Sequence, residues 1–164
     1  MKNKRITSAL LSTSLLLSVS AFAGGIPNLW VDGFVQGFET YDLTNSQGQH
    51  VNITCSEDAA FDESSSDNSV TLTNAKGIQF ANDQNEFKFV IDDEVYVVPE
   101  TTALLNRAGM WINFIDAIKS PVAGQFTVYI GDKEFGTFKA SAKNRNKSLS
   151  DMKCTAKADW EVMQ

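Results

Sequence analysis

Short runs of two-residue alternation dominate this chain, and that pattern confines it to a small set of β architectures. Val51, Ile53 and Cys55 alternate with Asn52 and Thr54, and Phe87, Phe89 and Ile91 alternate with Lys88 and Val90. Successive side chains of a strand point to opposite faces, so such runs bury one face and wet the other. Turn-forming clusters punctuate them at Asn45-Ser46-Gln47-Gly48, Lys76-Gly77, Asp92-Asp93 and Gly131-Asp132-Lys133. Further strands are expected over Phe34 to Leu43, Val70 to Thr73, Ile78 to Phe80, Val95 to Val98, Phe126 to Ile130 and Glu134 to Lys139. Both faces of the Phe34–Leu43 run carry apolar residues, which predicts one central strand.

One stretch has a helical period instead. From Thr101 to Lys119, Leu104, Ala108, Trp111, Ile115 and Ile118 recur at spacings of three and four, with Leu105 and Ile112 at the flanks, and Ser120-Pro121 ends the run. A stripe of that width on a single helix packs against a sheet, so Trp111 reads as core. A shorter polar segment, Ser141 to Met152, predicts a surface helix. The expected fold is mainly β: an antiparallel β-sandwich or half-barrel of about seven to nine short strands with one amphipathic helix packed on it.

The N-terminus carries an address. Lys2, Lys4 and Arg5 precede an apolar run from Ala9 to Val19, and Ala21-Phe22-Ala23 follows. A basic start, an apolar run too short to span a bilayer and a small-x-small ending make residues 1–23 a secretory signal peptide of the pattern used by Gram-negative cells. The expectation is an exported protein, in the periplasm before the extracellular space. Cleavage after Ala23 leaves residues 24–164 as a single β-rich domain. No membrane anchor is expected, because no second run approaches the length of a span.

Export changes the reading of the two cysteines, Cys55 and Cys154. Widely separated cysteines in an oxidising compartment pair as a structural staple, whereas redox pairs sit close together as Cys-x-x-Cys. The charge is equally informative. Losing Lys2, Lys4 and Arg5 takes the 14 basic residues to 11 against 20 acidic ones, a formal charge of −9. Such a surface repels nucleic acid and attracts cationic partners.

Chemistry-bearing patterns are sparse. His50 is the one histidine, no Gly-x-Ser-x-Gly elbow accompanies it, and it reads as solvated. Asp32, Glu39 and Asp116 are carboxylates with apolar neighbours, but their spacing selects no catalytic pair. No cofactor and no metal site is expected. The segment holding Glu57, Asp58, Asp62, Glu63 and Asp67 lacks the Asp-x-Asn-x-Asp-Gly order that bends a chain around calcium. That acidic segment is a candidate surface for a basic protein. The aromatic set Trp30, Phe34 and Phe38 is a candidate anchor, with core packing as its alternative. The basic segment Lys143 to Lys147 is a candidate contact for an anionic group.

These features predict a non-enzymatic exported binding protein whose partner is another protein, an inhibitor or immunity factor against a cationic cell-wall-active protein. An assembly accessory of an envelope or surface complex is the alternative, and a small carboxylate-based hydrolase is the third reading.

Overall fold

The computed structural model describes residues 25–56, 68–102 and 105–156. The expected leader, the acidic segment from Glu57 to Asp67, Leu104 of the helical stripe, and Trp160 and Val162 of the tail lie outside the described residues. The protein is mainly β, with two antiparallel sheets arranged as in a β-sandwich.

The first sheet is a meander of β1 (Trp30–Val35), β2 (Phe38–Thr44), β3 (His50–Ser56), β4 (Ser69–Thr73) and β5 (Gln79–Ala81), ordered as in the chain. The second has the order β7-β6-β8-β9, built from β6 (Phe87–Ile91), β7 (Glu94–Val98), β8 (Gln125–Ile130) and β9 (Lys133–Lys139). Helix α1 (Leu105–Lys119) lies in the crossover from β7 to β8 and packs on β7, and α2 (Ala142–Leu149) packs on β1.

The alternation works as the sequence implies. Val51, Ile53 and Cys55 of β3, and Phe87, Phe89 and Ile91 of β6, are all buried, while their neighbours are half-exposed. Side chains from both sheets and α1 form one core. Aromatic contacts thread it: Trp111 meets Phe114, Phe114 meets Phe89, Phe89 meets Phe126, and Phe126 stacks between Trp30 and Phe138. Each such ring contributes about 1.5–3 kcal/mol through burial alone. In α1, Ala108, Trp111, Ile115 and Ile118 are buried as expected, joined by Phe114, whereas Ile112 is exposed.

The expected single strand from Phe34 to Leu43 is instead a hairpin. Gln36 and Gly37 take positive φ values of 53° and 90° and turn the chain, setting Val35 opposite Phe38. Two consecutive positive φ values match the twist of a tight hairpin, and glycine supplies one of them without a steric cost. Asp92-Asp93 does the same between β6 and β7, with φ values of 51° and 63°.

Asparagine side chains tie the sheet ends together. Asn45 accepts from the N–H groups of Gln47 and Gln49 and donates to the Thr137 carbonyl of β9 at 3.1 Å. Gln49 also donates to the Phe135 carbonyl, and Gly136 between them leaves the space its side chain needs. Asn82 accepts from Val70 N–H and donates to the Pro99 carbonyl. Asn68 links Ser56 N–H to the Thr155 carbonyl. A carboxamide both donates and accepts, so each one replaces a peptide group where a strand runs out.

Cys55 and Cys154 form a disulfide, with a sequence separation of 99 and Cα atoms 5.0 Å apart. Helix α1 holds the same segment: Trp111 Nε1 donates to the Cys154 carbonyl at 3.2 Å, and Lys119 Nζ to the Met152 carbonyl at 3.0 Å. The stripe that read as core thus also positions the C-terminal cysteine.

Candidate functional site

The β1–β2 hairpin changes character along its length. Trp30 is 2% exposed, while Val31, Asp32, Gly33, Phe34 and Val35 are all exposed, Phe34 at 63%. Helix α2 makes that difference. Ser141 caps it by accepting from Asn144 N–H. Asn144 Oδ1 accepts from Trp30 N–H at 2.6 Å, and Asn144 Nδ2 donates to the Trp30 carbonyl at 3.0 Å. The Ser148 hydroxyl donates to that same carbonyl at 3.0 Å. The Asn144 carboxamide therefore stands where the peptide group of a neighbouring strand would stand.

β1 is the edge of its sheet. Peptide groups alternate sides along a strand, so those of Asp32 and Phe34 point the same way as those of Trp30, away from β2. They have no hydrogen-bond partner among the described residues. The side chains sort with equal clarity. Trp30, Asp32 and Phe34 share a face with Leu43, Tyr41 and Glu39, their partners in β2. Val31 and Val35 lie on the other face, as does Phe38, which is half-buried.

Phe34 and Glu39 are opposite one another, and Asp32 is opposite Tyr41. The Tyr41 hydroxyl donates to Glu39 Oε2 at 2.7 Å. Burial, then the hydrogen bond and charge of Glu39, then the charges of Asp32 and Asp151 hold the phenol well above its ordinary pKa. Tyr41 stays neutral and fixes one carboxylate of an acidic corner. Beside this corner lies an open groove of about 510 Å³, lined by Glu39, Cys55, Ser56, Met152, Lys153 and Thr155.

The aromatic set expected to act together is divided: Trp30 is core, Phe34 is exposed, and Phe38 lies on the opposite face. The positions of Glu57, Asp58, Asp62, Glu63 and Asp67 lie outside the described residues. Asp32 and Glu39 come together at the hairpin, and Asp116 is exposed on α1. The basic segment is split as well. Lys143 and Lys147 are exposed, but Arg145 is 1% exposed, its Nε and Nη1 without a hydrogen-bond partner among the described residues. The expected surface helix from Ser141 to Met152 is therefore the shorter α2, partly buried and seated on Trp30. Asn144 and Ser148 were missed because their partner lies more than a hundred positions away; their separation of four, one helical turn, was the available signal.

His50 is not simply solvated. Its Nε2 meets Asp42 Oδ1 at 2.8 Å and its Nδ1 meets Thr44 Oγ1 at 3.1 Å, so hydroxyl, imidazole and carboxylate are in sequence. Asn52 Nδ2 donates to the same Asp42 oxygen, and Thr44 is only 7% exposed. A nucleophile must reach its substrate, and this hydroxyl is covered. The contacts fasten the outer face of β2 to β3. A second cleft, of about 440 Å³, lies between the base of the β6–β7 hairpin and α1, where Arg107 pairs with Glu100 at 2.8 Å. Among the described residues, no group of three His, Cys, Asp or Glu side chains gathers as a metal site would require.

The family model named YfjT matches residues 28–149. The chain belongs to the YfjT family. It is 33% identical over 140 residues to the uncharacterized protein YkfB of Escherichia coli K12, covering 84% of this chain and 88% of that protein. It is 30% identical over 153 residues to the uncharacterized protein YfjT of the same strain, covering 91% and 94% respectively. No solved structure matches the chain. The YfjT-matched region contains both Trp30 and Asn144, and therefore the sealed end of β1, and stops before Cys154. Among the described residues of this YfjT-family chain, no helix is long and apolar enough to cross a membrane.

Proposed function

We propose that this protein is an exported, non-enzymatic binding module that engages a cationic protein, acting as an inhibitor or immunity factor against a cell-wall-active partner. The observation that carries the reading is the β1–β2 hairpin, whose exposed Phe34 shares a face with Asp32 and Glu39 and whose exposed Val31 and Val35 lie on the other. Apolar anchors with a rim of one charge suit a protein surface of the opposite charge. The leader at residues 1–23 and the Cys55–Cys154 disulfide support an oxidising compartment, the periplasm first. The acidic balance of the whole chain speeds encounter with basic partners.

The test uses the mature, oxidised protein and a panel of purified cationic muramidases, amidases and endopeptidases. A stoichiometric complex by calorimetry, weakened by added salt, together with slower peptidoglycan turnover, is the expected result. Failure to bind or slow any of them at low salt removes the reading.

A further inference from the structure

We infer that the open edge of β1, from Val31 to Val35, accepts an extended basic segment of the partner as a sixth strand of the first sheet. The inference rests on the protein-binding reading above and names how that binding is made.

Comparison of the four sheet edges singles out this one. Native edges are blunted by shortness, lysines, bulges or a covering element. β5 has only three residues. β9 carries Lys133 and Lys139, and its pairing with β8 shifts register at Val128/Tyr129. β7 is packed by α1. β1 has no lysine, no proline and an unbroken register with β2, and past Trp30 nothing described covers it. Asp32 and Phe34 each hold out one N–H and one C=O, the spacing an added strand pairs with.

Asn144 sets where the added strand stops. Its carboxamide already occupies the pairing position at Trp30, so the free length is the five residues 31–35, about 17 Å of strand at the usual rise. Charge selects the occupant. The incoming residues opposite Asp32 and Phe34 lie on the face that carries the Asp32 and Glu39 carboxylates, while those between them lie on the face of Val31 and Val35. An alternating basic and apolar segment satisfies both. A second copy of this chain does not. With Asn144 fixing the end, antiparallel β1–β1 pairing centres on Gly33 and places Phe34, not a cation, opposite Asp32.

The test titrates the mature protein with a synthetic peptide of alternating lysine and valine, and with its glutamate–valine counterpart. Amide hydrogen exchange is read residue by residue. The lysine peptide should bind and protect the Asp32 and Phe34 amides, and the glutamate peptide should not. Proline at an edge position removes only the outward N–H, so Phe34→Pro should keep the fold by circular dichroism. It should weaken the lysine peptide about tenfold, the loss of one backbone hydrogen bond, whereas Phe34→Ala retains most of the affinity. Asp32→Lys should reverse the peptide preference. Protection at another edge, equal binding by Phe34→Pro and the parent, absence of peptide binding, or concentration-dependent protection of β1 without peptide would each overturn the inference. A cationic enzyme that binds Phe34→Pro as tightly as the parent overturns strand addition while leaving the protein-binding reading intact.

Discussion

Trp30 and Phe34 lie four residues apart on the same face of the same strand, yet one is sealed and the other bare. Both are large aromatics in β1, so neither side-chain type nor strand periodicity separates them. What separates them is the reach of α2, which covers Trp30, closes both of its backbone groups with Asn144 and adds Ser148. Beyond that helix the strand continues with the same pairing to β2 and no cover. Burial is thus set by a distant element and not by the strand's own sequence.

The largest effect comes from losing the covalent tie, which lies at the Phe34 end, where Cys55 is opposite Glu39. Reducing the disulfide, or Cys55→Ala with Cys154→Ala, should cost about 4–5 kcal/mol in the chain-entropy account of a ring near a hundred residues. Urea unfolding with and without reductant measures it. Trp30→Ala comes next, at about 4 kcal/mol for a fully buried ring, while Phe34→Ala should change stability by about 0.5 kcal/mol or less. Similar costs for the two would dissolve the contrast. Asn144→Ala should cost about 2 kcal/mol, because Trp30 N–H loses its acceptor while the ring stays buried, and the Trp30 amide should then exchange faster. If its exchange is unchanged, Asn144 does not close the edge.

The smallest effect concerns Tyr41, which joins the two ends. Its native pKa is raised above the ordinary 10.0. The neutral phenol's contribution to stability is therefore complete below about pH 10 and is lost as pH rises beyond that, where the unfolded chain releases its proton first. Tyr41→Phe should cost about 1 kcal/mol near neutrality through the lost hydrogen bond to Glu39. It should also flatten the alkaline fall in stability. An alkaline limb equally steep in Tyr41→Phe would place its origin elsewhere.

Much of the fold was readable because its signals are local. The alternation of β3 and β6, the Asp92-Asp93 turn and the stripe of α1 each need only a few neighbouring residues to be recognised. The Cys55–Cys154 pairing was readable from the expected compartment and the count of two. The turn at Gln36-Gly37 was not, because glutamine seldom takes positive φ and the apolar pattern runs on through it. Missing that turn placed Phe34 and Tyr41 on opposite faces, whereas the hairpin puts them on one. The candidate site was legible in its parts, since Phe34, Asp32 and Glu39 all stood out by type. It was not legible as a site, because openness of an edge depends on where α2 ends, and that is a contact across more than a hundred positions. Arg145 shows the same limit: a polar helix sequence gave no sign that one of its charges would be buried.

The bond between Cys55 and Cys154 also sets a route for force. Its ring encloses β4 to β9 and both helices, while β1, β2 and β3 up to Cys55 lie outside it. Tension entering at β1 and leaving after Cys154 crosses the sulfur bridge and bypasses the whole second sheet. A partner pulling on the hairpin would strip β1, β2 and β3 as far as Cys55 at most, and the enclosed chain would lie off that covalent path.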